Sequence, residues 1–185
     1  MATVSPRLAG RRIALLAADG THDHEFWVPY YRFIEEGADL TVAGAEAGAV
    51  YVGEGRHGRD GMPLAPTTAA IGDLDADLLD GLVIPGGLFA PLRHRNDPAV
   101  LDLVRAMDRR GRILAAICHG PWVLVSAGVL PGRQATSPDD MADDMKNAGA
   151  RWVRQPAVRD GHIITSVYFG YLPEFMRLVV DAIEG

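Results

Sequence analysis

Short apolar runs that alternate with amphipathic stretches constrain the fold of this 185-residue chain more than any other feature. The runs are "RRIALLAAD", "ADLTVAGA", "DGLVIPGG" and "RILAAIC", each of strand length and apolar at its centre. Such runs are typical of strands that are buried on both faces of a parallel sheet. Because helical patterns separate most of them, the sequence predicts an α/β protein with a doubly wound, mostly parallel sheet sandwiched between helices.

The helical patterns are equally distinct. "HDHEFWVPYYRFIEEG" places Phe26, Tyr30, Phe33 and Ile34 at helical spacing and stops at Gly37. "DPAVLDLVRAMDRRG" opens with an Asp-Pro helix-start signal. Further helices are predicted over 120–130, 139–149 and 170–185, a strand over 134–137, and a strand pair with an Asp-Gly turn over 151–166. Residues 50–73, rich in glycine and proline, predict loops with a short hairpin.

Length and charge limit the classes of protein to consider. The length predicts a single domain over 1–185, with residues 1–11 as a short flexible lead-in. A net charge of −6 argues against a nucleic-acid surface, and "RHGRD" and "RHRND" read as solvated loops. No apolar run has the length of a membrane span or a signal peptide, so we expect no membrane contact and a cytoplasmic location.

The only cysteine, Cys118, lies where the strand "RILAAIC" meets the helix "GPWVLVSAGVL". A tight strand-to-helix turn would project the sulfur from the sheet edge, as in a nucleophile elbow. The amides of the following helix would favour the thiolate, which is the reactive form of cysteine. Backbone amides after Cys118 could also hold a developing oxyanion. The alternative is a small, inert, buried cysteine, which is the common fate of a lone cysteine.

Two other loops should meet Cys118, because ligands bind at the carboxyl ends of strands in such sheets. Gly86 and Gly87 end a buried strand and leave room for a ligand, although a glycine pair is also a plain turn. Glu25, early in the first helix, could reach the sulfur and tune it, or could simply complement the helix dipole. Asp23 is predicted to cap that helix.

The ordered set "DGLVIPGG", "AAICHGPWVLVSAGVLPGR", "DDMKNAGARWV" and "DGHIITS" resembles the ThiJ/PfpI superfamily, particularly its protease I (PfpI-like) branch, over residues 12–183. The resemblance implies a flavodoxin-like, class I glutamine amidotransferase-like sandwich that forms dimers or hexamers. It implies a reactive Cys118 with His119 beside it and a protonated Glu25 that contacts the sulfur. It also implies an oxyanion hole formed by the backbone amides of Gly87 and His119.

Three positions depart from the family pattern. Pro91 stands about where PfpI-like peptidases carry the glutamate that completes a Cys-His-Glu triad with a neighbouring subunit. Pro138 replaces a tyrosine, and His22 replaces a second glutamate of the first loop. His22 and His94 are alternative acid–base groups, although a lone loop histidine is usually only solvated. No H-x-x-x-H spacing occurs, so we predict no metal ion, and no cofactor is expected.

Four hypotheses for the function remain open at this stage. The first is a stress-response enzyme in which Cys118 attacks a small reactive carbonyl or its adduct, as in a glyoxalase or deglycase. The second is an oxidative-stress sensor or chaperone whose Cys118 is oxidised to sulfenic or sulfinic acid. The third, an intracellular cysteine peptidase, loses its acid at Pro91. The fourth is a binding or structural domain with an inert buried cysteine.

A homodimer or higher homo-oligomer is also expected. Trp27, Tyr30 and Tyr31 form an aromatic cluster on or near the first helix. Such a cluster belongs either to the core or to a subunit interface, and the sequence leaves both alternatives open.

Overall fold

The computed structural model describes residues 6–55 and 60–185. Within them nine strands form: β1 Arg12–Leu16, β2 Asp39–Gly44, β3 Ala69–Ala70, β4 Gly81–Ile84, β5 Ile113–Ile117, β6 Gln134–Ala135, β7 Arg151–Trp152, β8 Ala157–Asp160 and β9 Ile163–Ser166. Seven of these strands make one sheet in the order β3-β2-β1-β4-β5-β9-β8. Only the pairing of β8 with β9 is antiparallel in this sheet. The predicted doubly wound, mostly parallel α/β sheet is therefore confirmed.

Helices cover both faces of the sheet, as the amphipathic patterns predicted. They are α1 Asp23–Glu35, α2 Phe89–His94, α3 Pro98–Arg109, α4 Pro121–Ala127, α5 Ala142–Asn147 and α6 Leu172–Glu184. On one face, α1 and α6 bury Phe26, Phe33 and Phe175 against the sheet. On the other face, Met107 and Leu124 of α3 and α4 do the same. The central strands β4 and β5 are buried at every residue, which explains their continuous apolar sequence.

Three strands carry the loops that matter for function. β1 pairs in parallel with β4, and β4 pairs in parallel with β5, so their carboxyl ends meet at one edge of the sheet. Gly86 and Gly87 follow β4 at this edge, and Cys118 follows β5. The start of α1, with Glu25, lies after the loop that leaves β1. The topology therefore brings the predicted loops together.

The amino-terminal segment departs from its prediction. Residues 1–5 lie outside the described part of the chain, but residues 6–11 are packed rather than a free lead-in. Leu8 is fully buried, and its N–H donates to the Glu36 carbonyl at 2.9 Å. Arg7 pairs with Asp181 and Glu184 near the end of α6. An apolar residue and a double ion pair thus tie this segment to the last helix.

The two basic stretches also differ from expectation. "RHRND" is not a solvated loop, because its first two residues end α2 and its His94 is only 3% exposed. Burial of Ala90 and Pro91 on the same short helix explains its formation. Residues 56–59 of "RHGRD" lie outside the described residues, so that interpretation is not tested.

Several observed helix and strand boundaries differ from the predicted ones for local reasons. α4 ends at Ala127, earlier than predicted, because Gly128 adopts a left-handed φ of 74°. Arg151–Trp152 pairs with β6 in a separate two-stranded sheet, so the strand pair across the Asp-Gly turn is β8 with β9. The described residues between 50 and 73 include the edge strand β3, an antiparallel bridge between Val52 and Pro63 and a 3-10 helix over Ile71–Asp73. Ile34 is 51% exposed and does not join the core.

Candidate active site

The turn that carries Cys118 is conformationally special. Cys118 has a φ of 59° and is the only non-glycine residue with a positive φ in the described part of the chain. Its N–H donates to the Ser166 carbonyl at 3.0 Å, which anchors the turn to β9. A Cβ on Gly120 would lie 2.4 Å from the Ile84 carbonyl oxygen, so this turn requires glycine there. A strained conformation that its surroundings enforce is typical of functional residues.

Glu25 lies against the same turn and is fully buried. Its Oε2 accepts a hydrogen bond from the Gly86 N–H at 2.9 Å. A Cβ on Gly86 would lie 2.5 Å from the Cys118 Cβ and 2.6 Å from the Glu25 Oε2, so the missing side chain lets all three residues meet. Burial raises the pKa of Glu25 to about 8, although the hydrogen bond from Gly86 opposes the shift. The carboxyl is therefore protonated at neutral pH.

Burial of the Cys118 sulfur opposes the acidification that the sequence predicts. Burial is the main cause that raises the pKa of the Cys118 thiol, and Glu25 adds to the shift once its carboxyl is ionised. The backbone amides of Gly87 and His119 oppose it by hydrogen bonding to the sulfur. The predicted amide contacts thus exist, but desolvation outweighs them, and α4 spans only seven residues.

His119 connects the sulfur to an acid that the sequence analysis missed. Its Nδ1 lies 3.4 Å from the Cys118 Sγ, and its Nε2 lies 3.1 Å from the Asp140 Oδ2. Because the Asp140 carboxylate can only accept, the Nε2 carries the hydrogen, and Nδ1 is left free to accept the thiol proton. The Trp122 ring lies 4.8 Å from the His119 ring and donates through Nε1 to Asp144 at 2.8 Å. The imidazole is thus held on two sides.

Glu54 is a second acid that the sequence analysis missed. It lies in the loop between β2 and β3, and its Oε1 accepts from the Leu88 N–H at 3.3 Å, directly after the glycine pair. Desolvation raises the pKa of Glu54, whereas the neighbouring His119 lowers it. Glu54 thus lies next to the glycine pair whose Gly87 amide contacts the sulfur.

Asp23, the predicted helix cap, instead accepts hydrogen bonds from backbone N–H groups near Glu54. It is the first residue of α1, the His22 cap makes no side-chain hydrogen bond, and Asp23 instead binds the loop beside Glu54. Its carboxylate accepts from the N–H groups of Gly55 at 3.1 Å and Met62 at 2.8 Å. The prediction of a helix cap was therefore wrong, because the loop amides compete successfully for the carboxylate.

His22 and His94, the two alternative acid–base groups, lie in different surroundings. The His22 ring stacks on Phe169 at 4.8 Å, and burial lowers the pKa of His22, so the ring is neutral. His94 lies on α2 with neither ring nitrogen in a well-aligned hydrogen bond, and burial lowers its pKa to about 4. Its ring faces the backbone of Ala17 and not Cys118. Pro91 is buried on the same helix and leaves no acid at that position.

No sequence signal pointed to Asp140 or Glu54. Asp140 stands in "DDMADD", where four acids look alike, and only the fold selects the one that reaches His119. Glu54 lies in a glycine-rich loop far along the chain from Cys118. Among the described residues, no group of three or more His, Cys, Asp or Glu side chains could hold a metal ion. The same part of the chain has no helix that is both long and apolar enough to cross a membrane.

Comparison with known proteins gives relatives along nearly the whole chain. A deglycase of Thermococcus kodakarensis is 38% identical over 173 residues, which cover 94% of this chain and 99% of that protein. The deglycase PfpI of Pyrococcus furiosus is 36% identical with the same coverage. General stress protein 18 of Bacillus subtilis is 33% identical and covers 95% of this chain and 99% of its own.

Solved structures agree with the sequence relatives. Drosophila melanogaster DJ-1beta superposes with a TM-score of 0.85 at 27% identity, over 95% of this chain and 91% of its own. A two-domain protein of Anabaena variabilis, with DJ-1/ThiJ/PfpI-like and ferritin-like domains, gives 0.86 at 32% identity over 92% of this chain and 47% of its own. The model of the DJ-1/PfpI family matches residues 11–182. The family model and the relatives agree, and the chain belongs to the DJ-1/PfpI family.

Proposed function

We propose that this protein is a cysteine-dependent deglycase of the glyoxalase type, which removes methylglyoxal and its early adducts from amines and thiols. The observation that carries the proposal is the 3.4 Å contact between the Cys118 Sγ and the His119 Nδ1, beside a buried and protonated Glu25. Relatives that share more than a third of their residues with this chain are named deglycases. A small-carbonyl substrate also needs no triad glutamate at Pro91.

The first step forms a bond between sulfur and carbon. His119 Nδ1 takes the thiol proton as the Cys118 Sγ bonds to the aldehyde-derived carbon. For free methylglyoxal, the carbonyl oxygen takes up a proton and a hemithioacetal results. For an adduct, the bond from that carbon to the amine or thiol breaks, and the leaving group takes the proton. Because proton transfer accompanies attack, the raised pKa of the resting thiol is compatible with the reaction.

The second step needs no external oxidant. A proton moves from the sulfur-bound carbon to the neighbouring carbonyl carbon through an enediol, so the first carbon is oxidised as the second is reduced. Glu25 and His119 are the groups in place to carry this proton, and the Gly87 and His119 amides stabilise the oxygen charge. The resulting thioester is cleaved by water to lactate and the free Cys118 thiol. The sum is methylglyoxal plus water giving lactate.

The other hypotheses have weaker support. A peptidase would need to activate its sulfur against an amide, and Pro91 removes the glutamate of the family triad. A redox sensor selects for a thiolate that is already formed, whereas burial raises the pKa of the Cys118 thiol. We therefore propose turnover of carbonyls as the main role.

Asp140→Asn is the variant that tests how His119 is used. Because the exposed Asp140 carboxylate fixes the His119 tautomer, we expect kcat/KM for methylglyoxal to fall by about tenfold to a hundredfold. Lactate and released amine would be measured with free methylglyoxal and with its N-acetyl-lysine adduct. Asp140→Glu should restore part of the rate, because it keeps an acceptor on the imidazole.

Asp143→Asn is the matched control, since Asp143 is 90% exposed and pairs only with Lys146 among the described residues. It should leave kcat/KM unchanged. An Asp140→Asn protein with the wild-type rate would remove Asp140 from the mechanism. A wild-type protein that consumes neither methylglyoxal nor the adduct faster than buffer would overturn the proposed function itself.

A further inference from the structure

Glu54 occupies a fixed position at the opening of the site. Its backbone N–H donates to the Thr21 carbonyl at 2.8 Å, which ties it to the loop after β1. Its carboxylate accepts from the Leu88 N–H at 3.3 Å, which ties it to the loop after β4. The side chain therefore bridges two of the three loops that surround Cys118.

Asp23 holds the loop around Glu54 in place. Its two carboxylate oxygens accept from the N–H groups of Gly55, the residue after Glu54, and of Met62. A Cβ on Gly53 or Gly61 would lie 2.2 Å or 2.6 Å from these oxygens, so both glycines are needed for the close approach. The position of the Glu54 charge is thus determined by the fold rather than by a freely moving side chain.

The charge of Glu54 acts on the reacting groups. It raises the pKa of both the Cys118 thiol and the Glu25 carboxyl, and His119 in turn lowers the pKa of Glu54. Asp140 adds a second carboxylate on the other side of His119. In the described part of the chain, no lysine or arginine forms an ion pair with either carboxylate. Among the described residues, Glu54 and Asp140 are therefore two carboxylates near His119 that have no arginine or lysine partner.

We propose that Glu54 is a specificity-determining residue that makes the site prefer carbonyl adducts with a positive charge over adducts with a negative charge. The inference rests on the proposed function, because it names the substrates of that same site. A fixed carboxylate near the reacting groups attracts cations and repels anions, and partial burial weakens the screening by water and salt. Adducts on cationic amino-acid side chains fit this preference better than adducts on carboxylate-bearing thiols.

The single cysteine allows the local potential to be measured without turnover. Cys118 would be modified with three methanethiosulfonates of matched reactivity, bearing trimethylammonium, methyl or sulfonate groups. Each reaction forms a disulfide to Cys118 and releases methanesulfinate, so the rate reports on approach to the sulfur. We expect the cationic reagent to react at least about tenfold faster than the anionic one, after correction for the rates with a small free thiol. In Glu54→Gln this ratio should fall by about fivefold to tenfold.

Glu35→Gln is the control, because Glu35 lies at the far end of α1 and is 74% exposed. It removes the same charge and should leave the ratio unchanged. Equal rates for the cationic and anionic reagents in the wild type, an unchanged ratio in a folded Glu54→Gln, or a sulfur that reacts with none of the reagents would overturn the inference. Thermal melting of each variant shows whether it is folded.

Turnover separates this inference from the proposed function. Methylglyoxal hemithioacetals of thiocholine, 2-mercaptoethanol and 3-mercaptopropionate differ in charge but share the reacting carbon. We expect kcat/KM to decrease in that order, and Glu54→Gln to bring the first and last values closer together. Turnover with no dependence on charge would contradict the inference alone. Charge-dependent modification of Cys118 without any turnover would contradict the proposed function but support the charge preference.

Discussion

Cys118→Ser is expected to lower lactate formation from methylglyoxal by at least about a thousandfold, to the level of the buffer. Serine keeps the shape of the turn, but its hydroxyl is a far weaker nucleophile and gives up its proton much less readily than a thiol. His119 at 3.4 Å cannot compensate for that difference. The measurement is lactate and remaining methylglyoxal over time, with stopped samples of both proteins at equal concentration.

The variant must be folded for this result to count. Cys118→Ala serves as a second variant, because it removes the polar atom entirely while leaving the Ser166 anchor of the turn, which is a backbone contact. Both variants should melt cooperatively and should lack activity. Wild-type rates in either variant would show that another group performs the chemistry.

The free energy of unfolding of the wild type is expected to fall as the pH rises, and Glu25→Gln is expected not to show this fall. The ordinary pKa of a glutamate is 4.5, and burial raises that of Glu25 to about 8 in the folded protein. Between these values the unfolded chain has released a proton that the folded protein still holds. The contribution of Glu25 to the free energy of unfolding is therefore complete below pH 4.5 and is lost as the pH rises through 8.

The size of this effect follows from the shift. At about 1.4 kcal/mol per pKa unit, the loss between pH 4.5 and pH 8 is on the order of 4 kcal/mol, of which about 2 kcal/mol falls above pH 6.5, and Glu25→Gln should not show it. His94 acts in the opposite direction, because its pKa is lowered from 6.5 to about 4. Its contribution is present above pH 6.5 and is lost as the pH falls through 4. The two effects oppose each other at mildly acidic pH, so the Glu25 effect is clearest above pH 6.5.

Urea unfolding at pH 6.5 and pH 8 measures this prediction for the wild type, Glu25→Gln and the exposed control Glu35→Gln. Subtracting the free energies of unfolding of one protein at the two pH values cancels any effect of its substitution on packing that does not depend on pH. We expect a fall in the wild type and in the control, and a much smaller one in Glu25→Gln. Equal falls in all three proteins would show that Glu25 is ionised in the folded protein at neutral pH.

The fold could be predicted largely from local pattern. β4 and β5 are buried at every residue, and this burial explains why each has a continuous apolar sequence. Likewise, Asp97 before Pro98 signalled the start of α3, and its carboxylate accepts from the Ala99 N–H at 2.9 Å. α2 was missed because "FAPLRH" is short, contains proline and carries charged residues. Its helical form depends on tertiary burial rather than on propensity.

The site could be predicted only in part. Cys118, Glu25 and the glycine pair were found because topology brings strand ends together at one edge. Asp140 and Glu54 reach the site from segments whose local sequence resembles any acidic surface, so only three-dimensional contacts distinguish them. The sequence also predicts a lowered pKa of the Cys118 thiol, whereas burial raises it. The sequence indicates the amides near Cys118, but it does not indicate how far burial outweighs them.

The most direct test of the central claim is carbon-13 NMR of the wild type mixed with methylglyoxal labelled at its aldehyde carbon. We expect a signal of this carbon bound to the protein through sulfur to form first and to decay as labelled lactate carboxylate appears. The same spectra of Cys118→Ser and of protein alkylated at Cys118 should contain neither signal. Labelled lactate that forms in those samples as fast as in the wild type would contradict the assignment of Cys118 as the nucleophile.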